Sequence, residues 1–285
     1  MKFTLALAQM DPVLGDVSKN VHKHIEMAER ARQEGATLVV FPELSITGYS
    51  VKDMNWDLAI NLEKDRSPLS PLIEASRSIS IIAGTVEEGI DFGIYNSALY
   101  FDNGTVRSVH RKTYPPTYGM FEEMRYFSRG KKVRAFDSRH GRLGVLICED
   151  LWHLSLPYML ALDGATLIIT LVASPTRLGS GEGDLQMNAV NMENQKAYAR
   201  LLSTYLAVCN RVGFEDGVNF WGGSSITGPD GDVDVSAKLF EEDLIIASVD
   251  ENEVRRARRF SRHFLDEDLP FVINEMGRIA RRSQD

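Results

Sequence analysis

Short apolar runs alternate along this chain with longer stretches whose apolar residues recur every third or fourth position. The first pattern reads as buried strand and the second as amphipathic helix. Phe3 to Ala8 is a strand; Asp16 then caps a helix with Val17, Val21, Ile25 and Ala28 at helical spacing, and Gly35 ends it. Leu38 to Phe41 is the next strand, closing a β-α-β unit, and the alternation returns as a helix from Pro71 to Arg77 and a strand from Ile79 to Gly84. Tyr95 to Phe101 and Thr105 to Arg111 meet across Asp102-Asn103-Gly104, and an Asn-Gly pair between alternating runs is the strongest short hairpin signal. The sheet is therefore mixed. Leu143 to Ile147 reads as a strand, Leu156 to Leu162 as a helix closed by Gly164, and Thr166 to Val172 as a strand. A helix from Glu193 to Tyr205, strands from Leu206 to Arg211 and Ser224 to Thr227, the turn Pro229-Asp230-Gly231 and a strand from Leu244 to Val249 complete the series. This is the grammar of an α/β fold.

Strand and helix signals run from end to end with no Pro/Ser-rich linker, low-complexity tract or internal repeat, which predicts one domain over residues 1–270. The Arg-rich segment after Val254 and the tail 271–285 break the pattern and read as a solvated face or a packing arm at a subunit contact. With 44% hydrophobic residues the chain can bury a substantial core, while a net charge of −8 and no basic stripe with interleaved aromatics argue against a nucleic-acid partner. Only two cysteines, Cys148 and Cys209, predict a protein without a disulfide framework, at home in the cytoplasm. The apolar start after Met1 is too short for a signal peptide, and no stretch approaches the ~18 apolar residues of a membrane span, so no membrane association is expected.

Candidate chemistry sits where apolar runs end. Cys148 follows Leu143-Gly-Val-Leu-Ile147 and precedes Glu149-Asp150; Glu43 follows Leu38-Val-Val-Phe-Pro42; Lys112 follows Val106-Arg-Ser-Val-His-Arg111. Residues at the carboxyl ends of strands face the crevice where open α/β folds bind ligands. On position alone Cys148 could equally be a buried structural thiol, but a thiol, a carboxylate and an amine in one crevice suit acyl transfer. The thiol attacks a carbonyl or nitrile carbon, Glu43 takes its proton and later activates water, and the ammonium of Lys112 steadies the oxyanion. No metal or cofactor is called for. His153 reads as a structural hydrogen-bonding residue, and His22, His24, His110, His140 and His263 lack ligand spacing. Gly179-Ser-Gly181-Glu-Gly183 reads as a loop beside the pocket, Cys209 as a core thiol, and Phe220 with Trp221 as packing or an interface.

These residues stand in a longer pattern: Leu5-Ala-Leu-Ala-Gln9, Phe41-Pro-Glu43-Leu-Ser-Ile-Thr-Gly48-Tyr49, Arg111-Lys112-Thr-Tyr114, Cys148-Glu-Asp150 and Gly222-Gly-Ser-Ser-Ile-Thr-Gly-Pro-Asp-Gly231. The pattern spans nearly the whole chain and resembles the nitrilase, or carbon-nitrogen hydrolase, superfamily. That resemblance implies an αββα sandwich, two mixed β-sheets packed face to face with helices outside. It also implies Glu43 as general base, Lys112 as oxyanion-binding cation, Cys148 as nucleophile and the backbone N–H of Glu149 as second oxyanion donor. A further glutamate orienting the lysine falls at Glu123, with Glu122 as the competing position. Around these sites the chain is most similar to the glutaminase domains of glutamine-dependent NAD synthetases, through Lys112-Thr-Tyr-Pro-Pro-Thr-Tyr118 and Cys148-Glu-Asp-Leu-Trp152-His153. Tyr118 and Trp152 thereby become candidate substrate contacts. Such synthetases carry a second, ATP-using domain, whereas no glycine-rich phosphate loop of the required kind is found before Asp285, so a free-standing amidase is the expectation. The acid pair after the cysteine, where nitrilases usually carry Trp-Glu, favours an amide over a nitrile. Glutamine-like, ω-amide and N-carbamoyl substrates stay open, as do transfer to an amine and service as an ammonia-supplying subunit. Family likeness further implies a homodimer or higher homo-oligomer.

Overall fold

The computed structural model describes residues 1–176 and 183–282. Among them the strands are β1 (Lys2–Gln9), β2 (Leu38–Val40), β3 (Ser80–Glu88), β4 (Ile94–Asp102), β5 (Thr105–Arg111), β6 (Phe136–Ser138), β7 (Gly141–Ile147), β8 (Leu167–Val172), β9 (Tyr205–Asn210), β10 (Val212–Glu215), β11 (Val218–Trp221), β12 (Ser225–Thr227), β13 (Val233–Ser236) and β14 (Asp243–Asp250). The helices are α1 (Val17–Gln33), α2 (Asn55–Leu58), α3 (Ser70–Ala75), α4 (Glu123–Tyr126), α5 (Ser155–Leu162), α6 (Gly183–Leu202), α7 (Glu251–Phe260) and α8 (Leu269–Arg282). Two six-stranded sheets run in the orders β14-β1-β2-β3-β4-β5 and β13-β12-β9-β8-β7-β6. Each has a parallel centre, β1-β2-β3 in one and β7-β8-β9 in the other, flanked by antiparallel strands.

Alternation within each strand builds four layers, because successive side chains point to opposite faces. Leu5 and Leu7 of β1 meet Leu143, Val145 and Ile147 of β7, Leu167, Ile169 and Leu171 of β8 and Ala207 of β9 in the core between the sheets. Ala6 and Ala8 point the other way, onto Val21, Ala28 and Ala31 of α1. Leu146, Ile168 and Leu206 likewise pack outward on Leu156 and Leu160 of α5 and on Ala199 of α6. This is the αββα sandwich, and it puts the carboxyl ends of β2, β7 and β8 at one end of the molecule.

Local signals explain most boundaries. Asp16 Oδ1 accepts from the backbone N–H of Lys19 at 3.0 Å, the N-cap expected of α1. Asn103 (φ 49°) and Gly104 (φ 74°) both take the left-handed conformation that a two-residue hairpin turn demands. Two assignments shift. The helix expected from Glu193 to Tyr205 starts at Gly183 and stops at Leu202, and Tyr205 opens β9. Its end is made by Ser203 in the left-handed region (φ 48°), with neither Gly nor Pro to announce it. The Asp216-Gly217 turn joins β10 and β11, a hairpin not anticipated, and Phe220 and Trp221 on β11 are buried. After Val254, whose side chain plugs the inter-sheet core from α7, the chain continues as α8, none of whose described residues is buried. The Gly179–Gly181 segment lies outside the described residues.

Candidate active site

Each candidate residue sits just past a strand end, held there by a close backbone approach or a buried anchor. β2 stops at Val40, and the turn that carries Glu43 passes through Leu44 in the left-handed region (φ 48°). Only a glycine fits beneath it: a Cβ on Gly84 of β3 would stand 2.3 Å from the Leu44 nitrogen. The turn is also tied from outside by His24, buried on α1, whose Nε2 lies 2.9 Å from Ser45 Oγ. Lys112 extends β5, donating its N–H to Asn96 O at 2.9 Å and accepting from the Gly130 N–H at 2.7 Å. A Cβ on Gly130 would come within 2.1 Å of the Arg111 carbonyl oxygen. Cys148 ends β7 with φ of 47°, a conformation costing an L residue about 1–3 kcal/mol and one that clusters at functional sites. It opens a 3-10 turn, Cys148–Trp152, and the first N–H groups of such a turn have no partner within it.

Asp150 binds two of these chain segments together. Fully buried, it accepts from Thr113 N–H (2.9 Å) and Tyr114 N–H (3.0 Å) beside Lys112, from Ile147 N–H (3.2 Å) beside Cys148, and from His110 Nε2 at 2.9 Å. Four donors on one carboxyl group fix it in a dry setting.

The side chains converge. Lys112 Nζ donates to Glu43 Oε1 and to Glu123 Oε1, each at 2.7 Å, with all three residues buried. Glu123 rather than the exposed Glu122 reaches the ammonium. Glu43 is held by two more donors, Asn96 Nδ2 at 2.7 Å and the backbone N–H of Ala173 at 2.9 Å. Ala173 follows β8, and the charges of Glu43 and Lys112 both act on the Cys148 thiol, which places the sulfur beside them. Tyr49 Oη donates to Glu123 Oε1 at 2.6 Å.

Electrostatics follow from this packing. Burial would strip Lys112 of its proton, but Glu123, Glu43 and the Cys148 sulfur hold its pKa well above the ordinary lysine value, so it stays an ammonium. Burial, with the Glu43 charge beside it, pushes the Cys148 thiol well up against the pull of Lys112. Glu123 is raised by burial to about 7, with Glu43 adding to the rise and Lys112 opposing it. Thus the resting arrangement is a neutral thiol beside a fixed cation.

A narrow cavity of about 40 Å³ opens over Cys148, walled by Trp152, Trp221, Asn194, Gln195 and Asn210 among others. Asn210 braces two walls, its Nδ2 donating to Gly222 O at 2.8 Å and its Oδ1 accepting from Ser174 N–H at 2.9 Å. Tyr118 and Glu149 are joined to each other, Oη to Oε2 at 2.8 Å, on the exposed side. That bond, after burial, raises the tyrosine to about 12. His153 stacks on Tyr114 with ring centroids 3.4 Å apart, a packing role. Cys209 is sealed between the sheets. Sequence reasoning missed Tyr49, Asn96, Ala173 N–H, Asp150 and His110. For Asn96 there was a signal, an amide on the strand face that otherwise carries Ala98 and Tyr100 into the core.

The carbon-nitrogen hydrolase family matches residues 4–259, and the chain belongs to that family, within the nitrilase superfamily. The glutamine-dependent NAD(+) synthetase of Thermotoga maritima is 32% identical over 99% of this chain and 48% of its own length. The chain spans about half the length of the curated relatives it matches. A carbon-nitrogen hydrolase from Helicobacter pylori G27 has the same fold, with a TM-score of 0.87 at 24% identity over 97% of this chain and 99% of that one. A mutant of the amidase from Nesterenkonia sp. AN1, carrying the acetamide moiety of fluoroacetamide on its active-site cysteine, superposes with a TM-score of 0.77 at 22% identity, covering 95% and 96% of the two chains. Among the described residues, no helix is long and apolar enough to cross a membrane.

Proposed function

We propose that this hydrolase is a thiol amidase that cleaves the carbon-nitrogen bond of a small carboxamide through an acyl-enzyme on Cys148. The observation that carries the reading is the buried cluster in which Lys112 bonds Glu43 and Glu123 at 2.7 Å each, with Glu43 and Lys112 close enough to Cys148 for both charges to act on its thiol. A thiol held neutral cannot attack until a base takes its proton, and Glu43 is the carboxylate in place. Lys112, kept protonated, is a donor and not a base.

As Sγ bonds to the amide carbon, its proton passes to Glu43 and the carbonyl π pair moves onto oxygen. Lys112 Nζ–H and the Glu149 N–H steady that oxyanion. Collapse of the intermediate restores the carbonyl and breaks the C–N bond as protonated Glu43 delivers the proton to nitrogen, and ammonia leaves. Water then adds to the thioester carbon while Glu43 takes one of its protons; the C–S bond breaks, the acid departs and the proton returns to sulfur. Glu123, fixed by Tyr49, orients Lys112. Trp152 and Tyr118 flank the substrate, and the small cavity suits a compact carboxamide end. The same acyl-enzyme would pass to an added amine if one outcompeted water.

Residues 1–270 act in this reading as one hydrolase domain, with 271–285 as a tail, working as a homodimer or higher homo-oligomer. Two free cysteines are consistent with a reducing, cytoplasmic setting. A second reading is favoured by the names of the relatives: an ammonia-supplying glutaminase whose product feeds an ATP-dependent synthetase.

The test is ammonia release from glutamine, ω-amides and N-carbamoyl compounds, with mass spectrometry of the Cys148 peptide during turnover. Cys148→Ala should abolish both release and adduct, and Cys209→Ala should keep both. Normal turnover in Cys148→Ala would overturn the mechanism. Hydrolysis seen only when a synthetase is added would decide for the second reading.

A further inference from the structure

The strands β5 and β6 are the outer strands of their sheets on the same side of the sandwich, and a cavity of about 230 Å³ opens between them. It is separate from the cavity over Cys148, sharing no lining residue with it. The floor is inter-sheet core, formed by Ile82, Ala98 and Val145. At the rim stand Lys132 and Arg134, both exposed, and neither forms a salt bridge among the described residues. Asp163, the acid whose charge Arg134 feels, is already bound by Arg142 at 2.7 Å.

His110 closes the inner wall and is only 9% exposed. Its Nε2 lies 2.9 Å from Asp150 Oδ2. With Asp150 Oδ2 as the acceptor, Nε2 is the donor and Nδ1 is the nitrogen left over. Nδ1 has no hydrogen-bond partner among the described residues, on a ring that lines the cavity.

We propose that this cavity is a second small-molecule site, for a compact monocarboxylate with an apolar body. The apolar part rests on Ile82, Ala98 and Val145, and the carboxylate lies at the mouth with Lys132 and Arg134, beside the His110 ring. Size agrees: a dry cavity of about 150 Å³ accommodates benzene, so 230 Å³ has room for a ring and a carboxylate. Charge agrees too, with two cations at the mouth that form no salt bridge among the described residues. The contact reaches further than the cavity, because Asp150, one hydrogen bond from His110, also anchors the backbone beside Lys112 and beside Cys148.

Benzoate is the probe, titrated into the whole chain after Cys148 has been alkylated with iodoacetamide to block the other cavity. Binding is read by calorimetry and by the ring resonances of His110, identified as those missing from His110→Gln. One saturable site, with the His110 resonances shifting, is expected. The double substitution Lys132→Gln, Arg134→Gln, at exposed positions that do not endanger folding, should weaken binding at least about tenfold. Neutral benzyl alcohol should bind at least about tenfold more weakly than benzoate. Unmoved His110 resonances, or equal affinity in the double variant, would overturn the proposal. So would benzoate binding that disappears on alkylation, since the ligand would then belong to the Cys148 cavity.

Discussion

The ammonium of Lys112 and the carboxylate of Glu123 meet at 2.7 Å through a single oxygen, Oε1, which also accepts from Tyr49 at 2.6 Å. The other oxygen, Oε2, is buried with no hydrogen-bond partner among the described residues. An acid used on one side only is under-solvated, which is why burial outweighs Lys112 and lifts Glu123 to about 7.

The sign of the pH dependence follows. Between the ordinary carboxylate value of 4.5 and the folded value of about 7, the folded protein keeps a proton on Glu123 that the unfolded chain has released. Stability from this group is therefore present below about 4.5, is lost as pH rises to about 7, and is level above. The difference in unfolding free energy between wild type and Glu123→Gln, from urea titrations at a series of pH values, should decline across that window. A pH-independent difference would show that Glu123 is an ordinary carboxylate. Turnover of Glu123→Gln should fall about a hundredfold, the scale of an ångström's misplacement of a reacting group, here Lys112.

Two glycines set where Glu43 and Lys112 stand. Adding one methyl at Gly84 puts carbon 2.3 Å from Leu44 N, and at Gly130 puts it 2.1 Å from Arg111 O. Backbone must yield in both cases, and the segment that yields carries the functional side chain. Gly84→Ala and Gly130→Ala should each lower kcat by about tenfold to a hundredfold while costing about 1–3 kcal/mol of stability. Gly35→Ala is the comparison: its Cβ meets nothing within 4 Å, but its φ of 88° strains the chain far from the site. It should lose stability and keep kcat. Equal kcat losses in all three would mean that global loosening, not local displacement, is being read.

The α/β alternation and the three strand ends were legible because both are written in local periodicity, while the two-sheet sandwich came from the family resemblance. A run such as Leu143 to Ile147 must be buried, and the polar residue after it must emerge where the strand does. What surrounds those ends was not legible. Asn96 lies 53 residues from Glu43 and Ala173 lies 130, and a backbone N–H has no residue type to betray it. Left-handed residues other than glycine, Leu44, Cys148 and Ser203, are equally silent, since tertiary contacts impose a conformation that local preference opposes. Ser203 cost the α6 boundary for that reason. Glu123 and Glu122 differ only in helical phase at the start of a four-residue helix, too short for periodicity to choose between them.

Asp150→Asn tests the brace between the Lys112 and Cys148 segments. The carboxylate takes two backbone donors on Oδ1, and one backbone and one imidazole donor on Oδ2. An amide keeps one acceptor and turns an NH₂ toward the other pair. Two buried donors are stranded, at about 1–3 kcal/mol each, so urea denaturation should show a loss of about 2–6 kcal/mol. Asp150→Ala leaves all four unpaired and should lose more. If Asp150→Asn matched wild type, the brace would carry no net energy.

Glu43→Gln separates two jobs of one carboxylate, because they push Cys148 chemistry in opposite directions. In the proposed mechanism Glu43 accepts the thiol proton as a base; as a charge, it opposes the thiolate and helps to hold the Cys148 pKa up. The amide removes both. Amide turnover should collapse by about 10²–10⁴-fold, the usual contribution of a general base. Alkylation by a neutral reagent such as iodoacetamide needs only thiolate, whose fraction rises once the neighbouring charge is gone and Lys112 is left unopposed on that side. The pH profile of alkylation should therefore move to lower pH in Glu43→Gln, with a faster rate at pH 7 than in wild type. Lys112→Gln reverses the sign, since the charge that lowers the thiol pKa is lost. Slower alkylation in Glu43→Gln would mean that the carboxylate draws the proton off sulfur in the resting protein, and that the neutral thiol inferred from burial is not its ground state.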